Sequence, residues 1–154
     1  MNDLLYDFCH DIISLKDLYL VLKTYNDSDL IEFNRIIIDK IDDYNKDKLI
    51  FICLLLNTIF NFDLSNFSYD IHNFISDSIS LSNDEIIFFL TDDNIFMYEK
   101  NNMLYIINNT NNIVSIVLPK EYQNSTLFCV NCGDDISINC TIDVYNLSFY
   151  IIEK

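Results

Sequence analysis

Three sets of residues carry side chains suited to chemistry. Cys129-Val130-Asn131-Cys132-Gly133 spaces two thiols as in one zinc knuckle, because thiolates with two residues between them can share a tetrahedral ion. A closed site needs two more ligands, and the chain offers Cys140, or His10 and His72 brought from afar. Cys129 also continues a strand-like stretch that takes small apolar side chains, so buried free thiols are expected, with no metal and no cofactor. A redox role for the pair lacks the helix N-terminus that would lower a thiol pKa. The second set is His10-Asp11, an imidazole beside a carboxylate. Adjacent helical residues point about 100° apart, so a helix-end or surface pair is expected, not a catalytic one. The third set is Tyr98, Tyr105, Tyr122, Tyr145 and Tyr150, whose flat faces could stack on sugar rings. Tyrosine is also an ordinary strand residue, and in a chain with 10 Tyr and no Trp most are expected in core or rim packing. No residue is assigned to catalysis or to metal, and no substrate-binding residue is identified.

The elements that must position these residues change character along the chain. Leu4, Phe8, Ile12, Leu15, Tyr19 and Leu22 recur every three or four residues, the spacing of one helical stripe. Ser14 followed by Asp17 offers a cap at which that stripe divides into two helices. Ser28 is the expected cap of a further helix with inner residues Leu30, Phe33, Ile37 and Ile41. Lys48 to Phe60 is apolar on all sides and predicts a buried central helix, and Phe67 to Ile79 a last one.

After Ser82-Asn83-Asp84 the rhythm becomes that of strands, with β-branched and aromatic blocks separated by Asn and Asp. The blocks are Glu85 to Leu90, Asn94 to Lys100, Met103 to Asn108, Ile113 to Leu118, Ser125 to Val130, Ile136 to Val144 and Ser148 to Glu153. Asn101-Asn102 and Asn109 to Asn112 are the expected tight turns, because Asn tolerates the left-handed conformation hairpins require. Successive hairpins with both faces partly apolar predict a small β-sandwich.

Composition narrows the function classes. The 154 residues contain no Ala, one Gly (Gly133), one Pro (Pro119) and one Arg (Arg35), a bias against GC-rich codons that fits an AT-rich genome. The formal net charge of -15 repels phosphates and anionic lipid surfaces, which argues against nucleic acid and membrane; it could attract a basic protein partner or divalent cations, but a solvated surface coloured by genome bias is the stronger explanation. Leu49 to Leu56 is well short of the ~20 apolar residues of a membrane helix. Five cysteines, an odd number, and a Met1-Asn-Asp-Leu-Leu-Tyr-Asp start without a basic n-region predict reduced thiols in a cytoplasm.

The second half resembles a known domain. Asp92-Asp93-Asn94-Ile95-Phe96-Met97-Tyr98-Glu99-Lys100, Met103-Leu104-Tyr105-Ile106-Ile107-Asn108-Asn109 and Ile116-Val117-Leu118-Pro119 follow one another as in the C-terminal β-sandwich of α-amylase-family glycoside hydrolases. Phe128 to Asp135 and Ile142 to Ser148 fall where that family has a Gly-acidic turn and its last strand. Phe67-Ser68-Tyr69-Asp70-Ile71-His72-Asn73-Phe74-Ile75 is similar to the last barrel helix, although it is acidic where the family is basic. The resemblance covers about the last 85 residues by rhythm and short matches, without an invariant motif. It implies a domain that shields a catalytic barrel and sometimes offers a sugar surface. The family's paired carboxylates have no counterpart here, and Phe8-Cys9-His10-Asp11 only faintly matches the His-Asp pair near its substrate site.

The expectation is therefore an α+β protein, with N-terminal helices (1–82) followed by a C-terminal antiparallel β-sandwich (83–154). Its expected function is that of a non-catalytic remnant or accessory module resembling the C-terminal part of an α-amylase-family enzyme, binding α-glucan or a protein partner. The alternative is an acidic protein-interaction or regulatory module unrelated to carbohydrate. Ile- and Phe-rich strands with few charges also present an edge needing cover, by the helices or by a second copy.

Overall fold

The structure, a computed structural model, describes residues 1–62, 85–123, 126–128, 135–137 and 140–153. The chain divides into two compact units, Met1–Leu81 and Ser82–Lys154. The architecture is α+β: four described helices, then antiparallel strands.

In the first unit, α1 (Asn2–Cys9) and α2 (Leu15–Leu22) are separate helices. The break is made by Asp11, held in the left-handed region at φ 58°, and by Ser14, whose hydroxyl accepts the Asp17 amide while the Asp17 carboxylate accepts the Ser14 amide. Because the break rotates one helix against the other, the single stripe read from the sequence is corrected. Leu5 and Phe8 of α1 and Leu15, Leu18 and Leu22 of α2 are buried, while Ile12 is 61% exposed.

Helix α3 (Asp27–Asp39) is capped by Asn26, not by Ser28. The Asn26 side-chain oxygen accepts from the Asp29 amide at 2.8 Å and the Asp29 carboxylate accepts from the Asn26 amide at 3.1 Å, so Ser28 already lies in the first turn. Leu30, Phe33 and Ile37 form its inner face, as expected, and Ile41 falls beyond its end. Helix α4 (Lys46–Thr58) starts at the Asn45 cap and is buried on every side from Lys48 to Thr58. The segment Phe67 to Ile79 lies outside the described residues.

The second unit opens with a meander of β1 (Ile87–Thr91), β2 (Ile95–Lys100) and β3 (Met103–Asn108). Asn101 and Asn102 make the β2–β3 turn with φ of 51° and 59°, the two left-handed residues that a two-residue hairpin loop requires. The chain then leaves the sheet: β4 (Val114–Val117) pairs with β7 (Thr141–Val144) in a two-stranded sheet. The larger sheet runs β1-β2-β3-β8-β5-β6, with β5 (Thr126–Phe128), β6 (Asp135–Ser137) and β8 (Ser148–Glu153).

Two expectations are corrected here. The link at Asn109 to Asn112 is a crossing between sheets, not a hairpin, and Ile136 to Val144 is not one strand but contributes to two. The first follows from Asn108, whose amide group donates to the carbonyls of Asn112, Val144 and Tyr145 and whose side-chain oxygen accepts from Thr110. Those bonds tie the β3–β4 connection to the end of β7 and leave no room for continued β3–β4 pairing.

The two sheets share a core. Met97, Leu104, Ile106, Tyr150 and Ile152 from the larger sheet pack with Ile116, Ile142 and Val144 of the smaller, closed by Leu118 and Tyr122. The opposite face of the larger sheet, with Phe96, Tyr98, Tyr105, Ile107, Phe149 and Ile151, is buried as well.

Candidate functional site

Most of the described residues singled out for chemistry go to structural places. His10 caps the end of α1, with Nδ1–H donating to the Tyr6 carbonyl at 2.9 Å and the ring stacked on Tyr6 at 4.0 Å. Asp11 turns away and accepts from the buried Lys48 ammonium at 2.5 Å, joining the α1–α2 break to α4. Lys48 also lies 5.3 Å from the centre of the Phe8 ring. Burial pushes the neighbouring Cys9 thiol up to about 11, against the pull of the Lys48 charge, so it is a poor nucleophile near neutrality.

Cys129, Cys132 and His72 lie outside the described residues, and Cys140 is exposed immediately before β7. Among the described residues no three His, Cys, Asp or Glu side chains gather as metal ligands.

The tyrosines divide. Tyr98 and Tyr105 stack at 5.2 Å inside one buried face, Tyr150 lies in the inter-sheet core, and Tyr122 donates its hydroxyl to Glu99 at 2.6 Å. Only Tyr145 of the five is exposed, at 58%. Burial raises Tyr105 to about 12, and burial with the Glu99 hydrogen bond raises Tyr122 further.

A concave site forms elsewhere, in the second unit, where an end strand of the larger sheet and β4 of the smaller face each other. Its volume is about 450 Å³. One wall is Phe89, Leu90, Asp92, Ile95 and Met97; the other is the run Val114 to Pro119. Phe89 reaches it because the β1–β2 register slips there: Phe88 pairs with Tyr98 and Leu90 with Met97, leaving Phe89 as an extra residue. Such a bulge re-aims a side chain, and here two consecutive residues line one cavity. Asp92 and Ser115 bring polar groups to an otherwise apolar lining. Asp93 and Glu121, next to Asp92 and two residues after Pro119 in the chain, are exposed, and Asp143 accepts from the Ser115 hydroxyl.

Nothing in the residue pattern singles this site out. Val114 to Leu118 reads as an ordinary apolar strand, and Phe89 as one residue of a run of large side chains. The one available signal was the uncharged edge-like character of these strands.

Fold and site together define an α+β protein whose two-sheet unit carries a mainly apolar groove with one carboxylate, Asp92, in its lining. No family model matches the chain, and a search of curated proteins finds no relative for it. Among the described residues no helix is long and apolar enough to cross a membrane.

Proposed function

We propose that this protein is a non-enzymatic interaction module whose groove holds an apolar segment of a basic protein partner. The observation that carries this is the groove itself, where the Phe89-Leu90 bulge and β4 form apolar walls with the Asp92 carboxylate set among them. An apolar patch rimmed by charge is the signature of a protein contact, and a chain of net charge -15 favours a cationic partner. Burial of Tyr98, Tyr105, Tyr122 and Tyr150 weighs against the glucan-binding accessory role that the resemblance to α-amylase-family enzymes implies, since sugar stacking needs exposed rings. A reducing cytoplasm fits the odd cysteine count.

The test is a titration, followed by residue-resolved NMR, with a capped heptapeptide alternating lysine and valine, and in parallel with maltoheptaose. Shifts at Phe89, Leu90 and Val114 to Leu118 with the peptide alone support the module. Shifts with maltoheptaose centred on Tyr145 restore the glucan role, and silence at the groove with the peptide removes the protein-contact one.

A further inference from the structure

We infer that the groove takes its partner as an added β-strand, hydrogen-bonded to the free edge of β4. This rests on the protein-contact function proposed above and specifies how the contact is made. Side chains of consecutive strand residues point to opposite faces. A cavity lying against one face of β4 would therefore touch alternate residues, yet this one touches all of Val114, Ser115, Ile116, Val117, Leu118 and Pro119. It runs along the edge of the strand.

The backbone groups on that edge can be assigned from the register. Val117 pairs with Thr141, so Leu118 stands opposite Cys140, and the Leu118 amide donates to the Cys140 carbonyl at 2.9 Å. In an antiparallel pair, hydrogen-bonded and non-hydrogen-bonded positions alternate. The amides and carbonyls of Leu118, Ile116 and Val114 thus point to β7, and those of Ser115 and Val117 point away from it. The Ser115–Asp143 side-chain hydrogen bond agrees, because side chains come closest at non-hydrogen-bonded positions. The smaller sheet has the order β4-β7, and among the described residues no strand pairs with the outer side of β4. Two N–H and two C=O groups are then available to a partner, spaced as a strand requires.

Occupant chemistry follows from charge. Edge strands that avoid pairing carry charges or Pro, whereas Ile113 to Leu118 has neither, and Val117 is 66% exposed. A carboxylate lies in the groove beside the edge instead, at Asp92, and exposed Asp93 and Glu121 follow within two residues of the lining residues Asp92 and Pro119 along the chain. A second copy would bring a further net charge of -15 to the same place. An extended segment with alternating apolar and Lys or Arg residues pairs its backbone with β4, buries its apolar side chains against Phe89 and Leu90, and sets its cations near the carboxylates.

The experiment is amide hydrogen exchange on the intact chain with and without the lysine–valine heptapeptide, combined with the variant Val117→Pro. Proline at this position removes an outward N–H and spares the β7 ladder. Strand addition slows exchange at Ser115 and Val117 and weakens binding to V117P by roughly tenfold, as loss of one or two net hydrogen bonds would. Should V117P fail to fold, two peptides N-methylated at alternate residues in opposite phase replace it, and strand addition requires their affinities for the wild-type protein to differ by a similar factor. Equal binding to both proteins, or of both methylated peptides, with unslowed exchange overturns strand addition and leaves the groove as a side-chain site. No binding to wild type overturns the protein-contact function as well. Concentration-dependent protection of the same two amides without peptide assigns the edge to a second copy and overturns the basic partner.

Discussion

At the scale of single residues, the groups with chemical potential are held by burial and by backbone geometry. Asp11 occupies a left-handed position and bonds Lys48, which is 3% exposed. Asp11→Asn preserves the left-handed preference and removes the charge, so its effect isolates the ion pair. With Asp11 itself largely in water the expected cost is about 1 kcal/mol, read from urea denaturation. Titration adds a second expectation. The Cys9 thiol moves from 9.0 to about 11 and the Tyr105 hydroxyl from 10.0 to about 12, both chiefly by burial. A raised acid pKa means that the folded state holds its proton more tightly. Its contribution is whole below the unfolded pKa and is lost as pH rises through the folded one. The thermal midpoint should therefore fall above about pH 9, and Tyr105→Phe should flatten the part of that fall between pH 10 and 12. The same burial protects Cys9 and Cys53 from alkylation, so iodoacetamide at pH 8 should label exposed Cys140 before either, as read by peptide mass spectrometry.

At the scale of elements, asparagine does the work that glycine does in most chains. Asn101 and Asn102 close the β2–β3 hairpin in left-handed conformations, and Asn45 and Asn26 cap helices. Asn102→Gly removes the residual cost of a side chain at positive φ and should stabilise by about 0.5 kcal/mol in chemical denaturation, partly offset by the freer unfolded chain. Asn108 is the opposite case. It is fully buried and bonds three carbonyls and Thr110, fixing where the chain crosses from one sheet to the other. Asn108→Ala takes one donor from each of those carbonyls, of which that of Asn112 keeps the Thr110 hydroxyl, and strands the Thr110 amide, at an expected cost of about 2–3 kcal/mol. It should also broaden NMR signals across residues 109–113 and 144–147.

At the scale of the whole molecule, charge and groove belong together. Association with the lysine–valine peptide should weaken several-fold between 50 and 300 mM salt, because screening shortens the reach of the carboxylates. Phe89→Asp should abolish binding by placing a charge in the apolar wall. Phe89 is 38% exposed and extra to the β1–β2 ladder, so the thermal midpoint should change little.

Local sequence determined a good deal of this. The Ser14–Asp17 cap, the all-round apolar helix from Lys48, the Asn101-Asn102 turn and the switch to strands after residue 84 depend on neighbours along the chain, and neighbours are what a sequence displays. The true inner stripe of α1 and α2 was hidden, because it depends on the rotation introduced at Asp11. Pairing was hidden for a related reason: β4 and β7 carry the same kind of residues as β2 and β3, and hydrophobic pattern does not say which strand lies beside which. That choice was made by distant contacts, with Asn108 reaching Val144 and Tyr145 across about 36 residues. The groove is a product of the same choice. A bulge at Phe89 and an edge at Val114 to Val117 that no strand among the described residues covers mean nothing separately, and only tertiary packing sets them face to face.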